Sequence, residues 1–413
     1  MYYGKSYPPL KFVFSHSPRD FVVEELPLYD FSGEGEHAIL KLRKKNLSTP
    51  EALQLLAQAF KLPQRELGYA GLKDKSSLSY QYISLPLKAY KKGHIPLHEN
   101  LKILETTLHA NKLRRGHLRG NKFFIRLKKL DSHNFKRLSD EAHKALKQGF
   151  PNFFGFQRFG NFGDNYEVAK TIKKPIKKQS RKEQFLLSSL QSHYFNLWLE
   201  ARLKLSNLIA ALSPREARMA IQMEFGQDLE EDLLSLLKKS PLVLKPLLGD
   251  LCCHYPHGRL FGLDVLTEGE LKRLEEGEVA ITGLLSGQAS GGLESKRGVD
   301  SNKADDALES KHQLDCLDSS GDGATPLESV TTLDSKGVGR TLLARGQAGL
   351  VEANYAPRIE ARGSRRYAWV YPSDLSLSYV EHEAQALLEF SLPKGAYATS
   401  FLEYLKNAPL YPS

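Results

Sequence analysis

The sequence predicts a mixed α/β protein with more than one domain. Alternating apolar and polar residues predict short strands within residues 11–45 and at 80–85. Apolar residues at helical spacing predict helices at 132–148 and 183–205. A single hydrophobic core stops growing beyond a chain length of about 250–300 residues. This chain has 413 residues, so we expect two domains.

The first predicted helix follows the N-terminal strands. Thr49 is a residue type that caps helix N-termini, and Pro50 suits the first helical turn, where its missing N–H has no partner to lose. We expect a helix from there to about Lys61, lying on one face of the sheet. Its apolar face consists of Leu53, Leu56 and Phe60.

The later part of the chain has a different character. From about residue 155 the pattern becomes helical, so we place the second domain there. Near the C-terminus, alternation over 379–392 predicts one strand. The apolar face of the helix at 183–205 is predicted to consist of Leu186, Leu190, Tyr194, Leu197 and Ala201.

Net charge and cysteine content restrict the classes of function. The formal net charge of +10 and pI near 9.2 favour a polyanionic partner, because bound phosphates release counterions. A basic surface that binds nothing is the alternative. Three cysteines make no disulfide framework, which suits a reducing cytosol. No apolar run resembles a signal peptide or a membrane span, so we predict a cytoplasmic protein that binds no membrane.

One segment departs from the basic character of the chain. Residues 291–340 contain ten acidic and six basic residues, a net charge of −4, which leaves +14 for the remaining chain. The segment is rich in Gly, Ser and Asp and poor in aromatic residues, so it lacks the apolar surface that offsets ordering entropy. We expect a flexible insertion that is dispensable for function.

The loop GLKDKSS at 71–77 is the first candidate for chemistry. It does not fit a phosphate-binding loop, because Asp74 stands where that motif requires glycine. A carboxylate between Lys73 and Lys75 is a candidate nucleophile or base, since neighbouring cations favour its ionised form. The alternative is a solvated turn without chemical function.

Segments distributed over the whole chain resemble the TruD family of tRNA pseudouridine synthases and keep that family's order and approximate spacing. The second of them resembles the family's catalytic loop, and residues 291–340 touch none of them. The segments are SPRDFVVEE (17–25) with GEGEHAILKL (33–42), GYAGLKDKSSLSYQ (68–81), LRGNKFFIRL (118–127) with PNFFGFQRFG (151–160), and LEFSLPKGAYATSFLEYL (388–405).

The resemblance implies a fold and a reaction. It implies a discontinuous catalytic domain, residues 1–154 and 371–413, with a central, mostly antiparallel mixed sheet. Residues 155–370 would form an inserted α/β domain, the family's TRUD domain, and the two domains would border a V-shaped cleft for tRNA with Asp74 on its floor. The implied reaction isomerises uridine, with uridine 13 of the D arm as the expected target, and uses neither cofactor nor metal.

The resemblance also implies roles for single residues. Asp74 matches the family's essential aspartate, Phe123 matches the aromatic residue that stacks on the flipped base, and Asn121 matches another active-site position. From the residues alone, Phe123 fits a core strand position and Asn121 a turn. The cation beside Asp74 is open, because Ser15 and Glu403 stand where relatives often have Lys or Arg. The candidates for this cation are Lys73, Lys75 and Arg158.

Two basic runs, at 112–122 and 170–182, are the predicted RNA-binding surfaces, because contacts with phosphates need positive charge and no base sequence. A solvated face is the alternative for each run. The first run leads directly into Phe123, so we expect it to lie nearer the site. The candidate residues are Lys112, Arg114, Arg115, Arg119, Lys173, Lys174, Lys177 and Lys178.

Other interpretations stay open. A non-catalytic RNA-binding protein would keep the same cleft, and a glycoside hydrolase would pair Asp74 with Glu24 or Glu25 at about 5–10 Å. The run CCHYPH at 252–257 lacks the gap between cysteines that a structural zinc loop needs, so no metal is expected. His16 and His37 show no partner in the sequence and are expected to lie in turns or strands. No protein partner is implied, and we expect a monomer.

Overall fold

A computed structural model describes residues 7–160, 163–256, 258–288, 331–333, 339–341 and 343–410. The predicted acidic insertion, residues 291–340, lies outside the described residues except for two short stretches at 331–333 and 339–340. Its predicted flexibility and dispensability therefore stay predictions.

The described residues form strands and helices along the whole chain. The strands are β1 (Val13–Phe14), β2 (Phe21–Pro27), β3 (His37–Lys45), β4 (Gly68–Tyr69), β5 (Leu78–Pro86), β6 (Leu101–His109), β7 (Leu118–Lys128), β8 (Phe150–Pro151), β9 (Leu251–His254), β10 (Leu260–Gly262), β11 (Val279–Leu285), β12 (Thr331–Leu333), β13 (Gly339–Thr341), β14 (Ser364–Tyr367), β15 (Trp369–Val370), β16 (Ser373–Val380) and β17 (Gln385–Pro393). The α-helices are α1 (Thr49–Ala59), α2 (Leu87–Lys92), α3 (Ser132–Gln148), α4 (Asn165–Ala169), α5 (Arg181–Ala211), α6 (Pro214–Phe225), α7 (Glu231–Lys239), α8 (Glu268–Glu275), α9 (Gly346–Ala353) and α10 (Ala398–Lys406).

A large sheet joins the two ends of the chain. Its order is β16-β17-β7-β2-β5-β3-β6, with β1 added to β7 and β4 added to β5. Among the described strand pairs of this sheet, only β2 and β5 run parallel. The predicted α/β fold with a central, mostly antiparallel mixed sheet is therefore confirmed.

The middle of the chain forms a sheet of its own, whose strands do not pair with the large sheet in the described residues. This second sheet has the order β10-β9-β11-β14, and its strand β11 contacts α5. Along the chain, β9, β10 and β11 lie between α7 and α9, and β14 follows α9. Strands β16 and β17 then return to the large sheet, where β17 pairs with β7 over nine residue pairs. The N- and C-terminal strands thus share one sheet, while the domain boundaries at 154 and 370 stay predictions.

Helix α1 begins one residue away from the predicted cap. Ser48, and not Thr49, is the N-cap: its hydroxyl accepts from the Glu51 amide, and Glu51 accepts from the Ser48 amide in return. The prediction of Thr49 as the cap was wrong because the sequence Ser-Thr-Pro offers two hydroxyls. Thr49 is the first helical residue, and its hydroxyl instead donates to Gln81 and accepts from the Lys73 amide.

Two other elements differ from their predictions. Helix α5 extends to 31 residues and is buried around most of its surface, whereas Leu197, which was assigned to its apolar face, is exposed. The single strand predicted at 379–392 is the end of β16, a turn and then β17. Ala384 in that turn has φ 49°, a left-handed value that ends the extended pattern.

The large sheet carries two apolar clusters and a set of buried polar side chains, which we call the polar strip: Glu25, Lys44, Ser79 and Gln81. One cluster contains Phe21, Phe123 and Phe390 together with the helices of the middle and C-terminal parts. The other contains Leu40 and Ile83 with helix α1. Full burial of each such side chain contributes roughly 1.5–3 kcal/mol, so the clusters hold the strands firmly. Within the described residues, no helix is both long and apolar enough to cross a bilayer.

Candidate active site

The loop that carries Asp74 connects β4 to β5 and lies over the polar strip. Asp74 itself is exposed, but the backbone on both sides of it is held by side chains from below. The Thr49 hydroxyl accepts from the Lys73 amide at 2.9 Å, and the Ser77 hydroxyl donates to the Asp74 carbonyl at 2.9 Å. Gln81, which is buried on β5, donates to the Gly71 carbonyl. These contacts fix the backbone and leave the Asp74 carboxylate facing solvent.

Lys73 and Lys75, two candidates for the cation beside Asp74, form ion pairs with other carboxylates. The Lys73 ammonium lies 2.7 Å from Glu25 on β2, and both side chains are buried. The Lys75 ammonium lies 2.7 Å from Glu51 at the start of α1 and is exposed. The structure therefore places the charge of Lys73 beneath the loop and that of Lys75 beside the helix terminus. The sequence named Glu25 only as a possible partner of Asp74 in the glycoside hydrolase interpretation and did not indicate its ion pair, because Lys73 is 48 residues away.

His16, to which the sequence assigned no site role, lies near Asp74. Burial lowers the pKa of its imidazole, whereas the negative charge of Asp74 acts in the opposite direction. Its Nε2 lies 3.0 Å from the side-chain nitrogen of Gln157, and its ring lies 5.0 Å from that of Phe14 and 5.0 Å from that of Phe21. No local pattern marks His16, because Gln157 is 141 residues away in the chain.

Strand β7 brings Asn121 and Phe123 to the same face of the sheet as Glu25. Asn121 lies opposite Glu25 in the register of β2 and β7, and its side-chain oxygen is buried without a hydrogen-bond donor among the described residues. Phe123 is 5% exposed, with its ring centroid 6.1 Å from Phe21 and 5.4 Å from Phe390. Asn121 thus offers an open acceptor, while Phe123 is mainly a core residue in this structure.

Arg158, the third candidate cation, lies against helix α5. It is buried, its Nε donates to the Ser192 hydroxyl at 3.1 Å, and its Nη2 donates to the Ser188 hydroxyl. The guanidinium carbon also lies 5.7 Å from the ring centroid of Phe154. The structure therefore gives Arg158 contacts that connect the segment after β8 to α5.

The two basic runs differ in how many of their basic side chains are exposed and how many bond to neighbouring groups. In the first run, Lys112 donates to the Arg65 carbonyl at 2.6 Å and Arg115 donates to the Tyr69 hydroxyl at 2.8 Å, whereas Arg114 and Arg119 are exposed. In the second run all four candidates are exposed, and Lys174 pairs with Glu183 at 2.7 Å. The exposed candidates are Arg114, Arg119, Lys173, Lys174, Lys177 and Lys178.

The carboxylates and thiols of the other interpretations are engaged in different contacts. Glu24 pairs with Lys41 at 3.2 Å and, as the neighbour of Glu25 on a strand, points to the opposite face of the sheet. Cys252 and Cys253 are buried in β9. In the part of the chain that the structure describes, no three His, Cys, Asp or Glu residues are grouped to hold a metal ion.

Comparisons with known proteins agree on one family. The family model described as tRNA pseudouridine synthase D (TruD) matches residues 1–179. The chain is 39% identical over 408 residues to tRNA pseudouridine synthase D of Wolinella succinogenes, covering 98% of this chain and 97% of that protein. It is 38% identical over 418 residues to the protein of the same name from Helicobacter hepaticus, covering 98% and 95%.

A solved structure supports the same fold. The crystal structure of a Methanosarcina mazei protein described as tRNA pseudouridine synthase D (TruD) superposes with a TM-score of 0.57, at 18% sequence identity, over 99% of this chain and 96% of that one. At this identity the likeness concerns the fold alone. The family rests on the sequence relatives, which match almost the whole chain at more than a third of positions. The chain therefore belongs to the tRNA pseudouridine synthase D (TruD) family.

Proposed function

We propose that this protein isomerises uridine to pseudouridine in tRNA, with Asp74 as the catalytic carboxylate and uridine 13 of the D arm as the target. One observation carries the proposal: Asp74 is exposed to solvent on a loop whose backbone is held by the buried side chains of Thr49, Ser77 and Gln81. A reactive group on a backbone that is fixed from below is preorganised, so little ordering entropy remains to be lost during reaction.

The chemistry needs only a carboxylate and a place for the base. The N1–C1′ bond breaks, the uracil turns, C5 bonds to C1′, and the C5 hydrogen is lost while N1 gains a proton, so no electron or group donor enters. Asp74 acts either by attacking C1′ or by removing the 2′ proton, and both roles require its ionised form. The base must leave the RNA stack for either step.

Asn121 supports recognition of the flipped base. Its buried side-chain oxygen has no donor among the described residues, and such an unpaired acceptor costs about 1–3 kcal/mol. The N3–H of uracil is a donor that would satisfy it. Phe123 contributes less to the proposal, because Phe21 and Phe390 flank its ring and leave it 5% exposed. Stacking of the flipped base on Phe123, which the resemblance implies, would use the small part of its ring that stays exposed.

The positive charge of the chain supports tRNA as the substrate. The net charge is +10, and the exposed Arg114 and Arg119 lie seven and two residues before Asn121 in the chain. Phosphates bound there would place a nucleotide beside β7 without dependence on the base sequence. The second run, at 173–178, would contact another part of the same RNA.

The position of the product tests the target. Wild-type protein is incubated with an unmodified tRNA transcript that contains uridine 13, and pseudouridine is mapped along the RNA by carbodiimide modification and primer extension. A matched transcript with cytidine at position 13 is the control. The proposal expects one pseudouridine at position 13 and none in the control. Conversion at another uridine would remove the assigned target, and tight binding without any conversion would favour the non-catalytic RNA-binding alternative.

A further inference from the structure

A buried lysine outside the sequence motifs lies beneath the Asp74 loop. Lys44 on β3 is 1% exposed, and its ammonium donates to the carbonyl oxygens of Leu47 at 2.7 Å, Lys73 at 3.2 Å and Asp74 at 3.4 Å. An ammonium has three N–H donors, and here all three acceptors are backbone oxygens. Lys44 therefore joins the segment before α1 to the backbone on which Asp74 stands.

The charge of Lys44 is kept in an unfavourable environment. Burial, and to a smaller extent the nearby charge of Lys73, lower the pKa of its ammonium to about 8, although the carboxylates of Asp74, Glu51 and Glu25 act in the opposite direction. A charge without a directly bonded counter-ion is costly in a protein interior. An apolar residue at this position would avoid that cost, so the presence of a lysine points to a role of the charge.

The other lysines of the loop do not have this arrangement. Glu25 accepts from Lys73 and Glu51 accepts from Lys75, and each of these charges is thereby neutralised by direct contact. The ammonium of Lys44 contacts carbonyl oxygens only, so no carboxylate neutralises its charge by direct contact. Of the three carboxylates that interact favourably with it, Asp74 does so most strongly.

We propose that Lys44 is a positioning residue of this active site: it anchors the carbonyl groups of Lys73 and Asp74 and keeps a buried positive charge beneath the loop that carries the Asp74 carboxylate. The inference rests on the proposed function of Asp74. Lys44 touches no substrate and acts through the loop, so its loss should change the rate of the chemical step and not the affinity for RNA. A displacement of about 1 Å at a reacting group costs on the order of 100-fold in rate.

The test compares Lys44→Met with Lys45→Met. Methionine has nearly the length of lysine without charge or N–H donors, and Lys45 is the exposed neighbour on the same strand. Two quantities are measured for each folded variant. The first is the single-turnover rate of pseudouridine formation at saturating tRNA transcript, together with the Kd for that RNA. The second is the amide hydrogen exchange of residues 71–77 without RNA, which requires no activity.

The inference expects Lys44→Met to lower the single-turnover rate by about 10- to 100-fold with an unchanged Kd. It also expects loop amides, above all that of Lys73, to exchange roughly tenfold faster, as suits the loss of one charged hydrogen bond. Lys45→Met should match wild type in the rate and in exchange. Lys44→Arg, which keeps charge and donors, should recover part of the rate that Lys44→Met loses.

Several results would overturn the inference. A wild-type rate and wild-type loop exchange in Lys44→Met would remove any positioning role, and a rate that falls only in proportion to RNA affinity would show general damage. If Lys44→Met does not fold, Lys44→Gln, which keeps N–H donors without charge, replaces it, and a wild-type rate would then exclude the role of the charge. If wild type itself forms no pseudouridine, the proposed function fails, while loop exchange still decides whether Lys44 holds the loop.

Discussion

The ion pair between Lys73 and Glu25 gives a prediction that can be worked from the structure. Its two charged atoms lie 2.7 Å apart, with side chains 4% and 1% exposed. At an effective dielectric constant of about 20 the attraction is roughly 6 kcal/mol, before the cost of removing both charges from water. Glu25→Gln keeps the shape but leaves the ammonium of Lys73 buried without a counter-charge. We expect it to lower the free energy of unfolding by about 3–5 kcal/mol.

Equilibrium unfolding in urea measures this change, with a control on the same strand. Glu24 pairs with Lys41 on the other face of the sheet, where the side chains are 41% and 19% exposed, so Glu24→Gln should cost below about 1 kcal/mol. The double variant Glu25→Gln with Lys73→Met removes both charges and should recover most of the loss. Equal effects of Glu24→Gln and Glu25→Gln, or a double variant as unstable as Glu25→Gln, would refute the buried pair.

Three further outcomes are expected. The pKa of Lys44 is lowered, mainly by burial, from 10.5 to about 8, so the unfolded chain binds that proton more tightly than the folded protein does. Between pH 7 and 9 the free energy of unfolding of wild type, measured in urea, should therefore rise by about 1 kcal/mol relative to that of Lys44→Met. A difference between the two proteins that does not change with pH would contradict the lowered pKa. Gly120→Ala would place a Cβ 2.2 Å from the Leu392 carbonyl oxygen, so it should separate β7 from β17 and lower the free energy of unfolding by about 1–3 kcal/mol. The thermal midpoint should fall accordingly, and an unchanged midpoint would show that the strands accommodate the methyl group without loss. Arg119→Ala should weaken the binding of every RNA to a similar extent and reduce the slope of the log of the association constant against log salt concentration by about 0.9 per lost phosphate contact. An unchanged slope would show that Arg119 does not contact RNA phosphates.

Much of the fold follows from local patterns in the sequence. Helix α3 occupies Ser132–Gln148, the range that its spacing and the following Gly149 predict, because Gly149 adopts φ 73° at its end. The strand predicted at 80–85 lies within β5, with alternate buried residues. Such elements are determined by interactions between residues a few positions apart, so local sequence patterns are sufficient to predict them.

The elements that were predicted wrongly depend on distant parts of the chain. Helix α5 is buried on several sides, since β11, α4, α6 and α9 contact it, and a single apolar face is therefore the wrong description. Ser48 rather than Thr49 caps α1, while the Thr49 hydroxyl bonds to Gln81 and to the Lys73 amide. Only the assembled loop shows why the two hydroxyls divide their roles in this way.

The candidate site, too, was only partly predictable from local sequence patterns. Motifs drew attention to Asp74, Asn121 and Phe123, because they lie in segments that resemble one family. They did not predict that Glu25 holds Lys73, or that Lys44 bonds to the Asp74 carbonyl from 30 residues away. Lysines in a basic chain carry no signal of burial, so such support residues appear only once strands β2, β3 and β5 are side by side.

The most direct test of the central claim follows the hydrogen at C5 of the target uridine. An unmodified tRNA transcript with [5-3H]uridine is mixed with wild type, with Asp74→Asn and with Asp140→Asn, an exposed control on α3, in buffer with EDTA and no added cofactor. The proposed mechanism predicts tritium release by wild type and Asp140→Asn, and no release by Asp74→Asn despite equal RNA binding. Release by Asp74→Asn at the wild-type rate would contradict the assignment of Asp74 as the catalytic carboxylate.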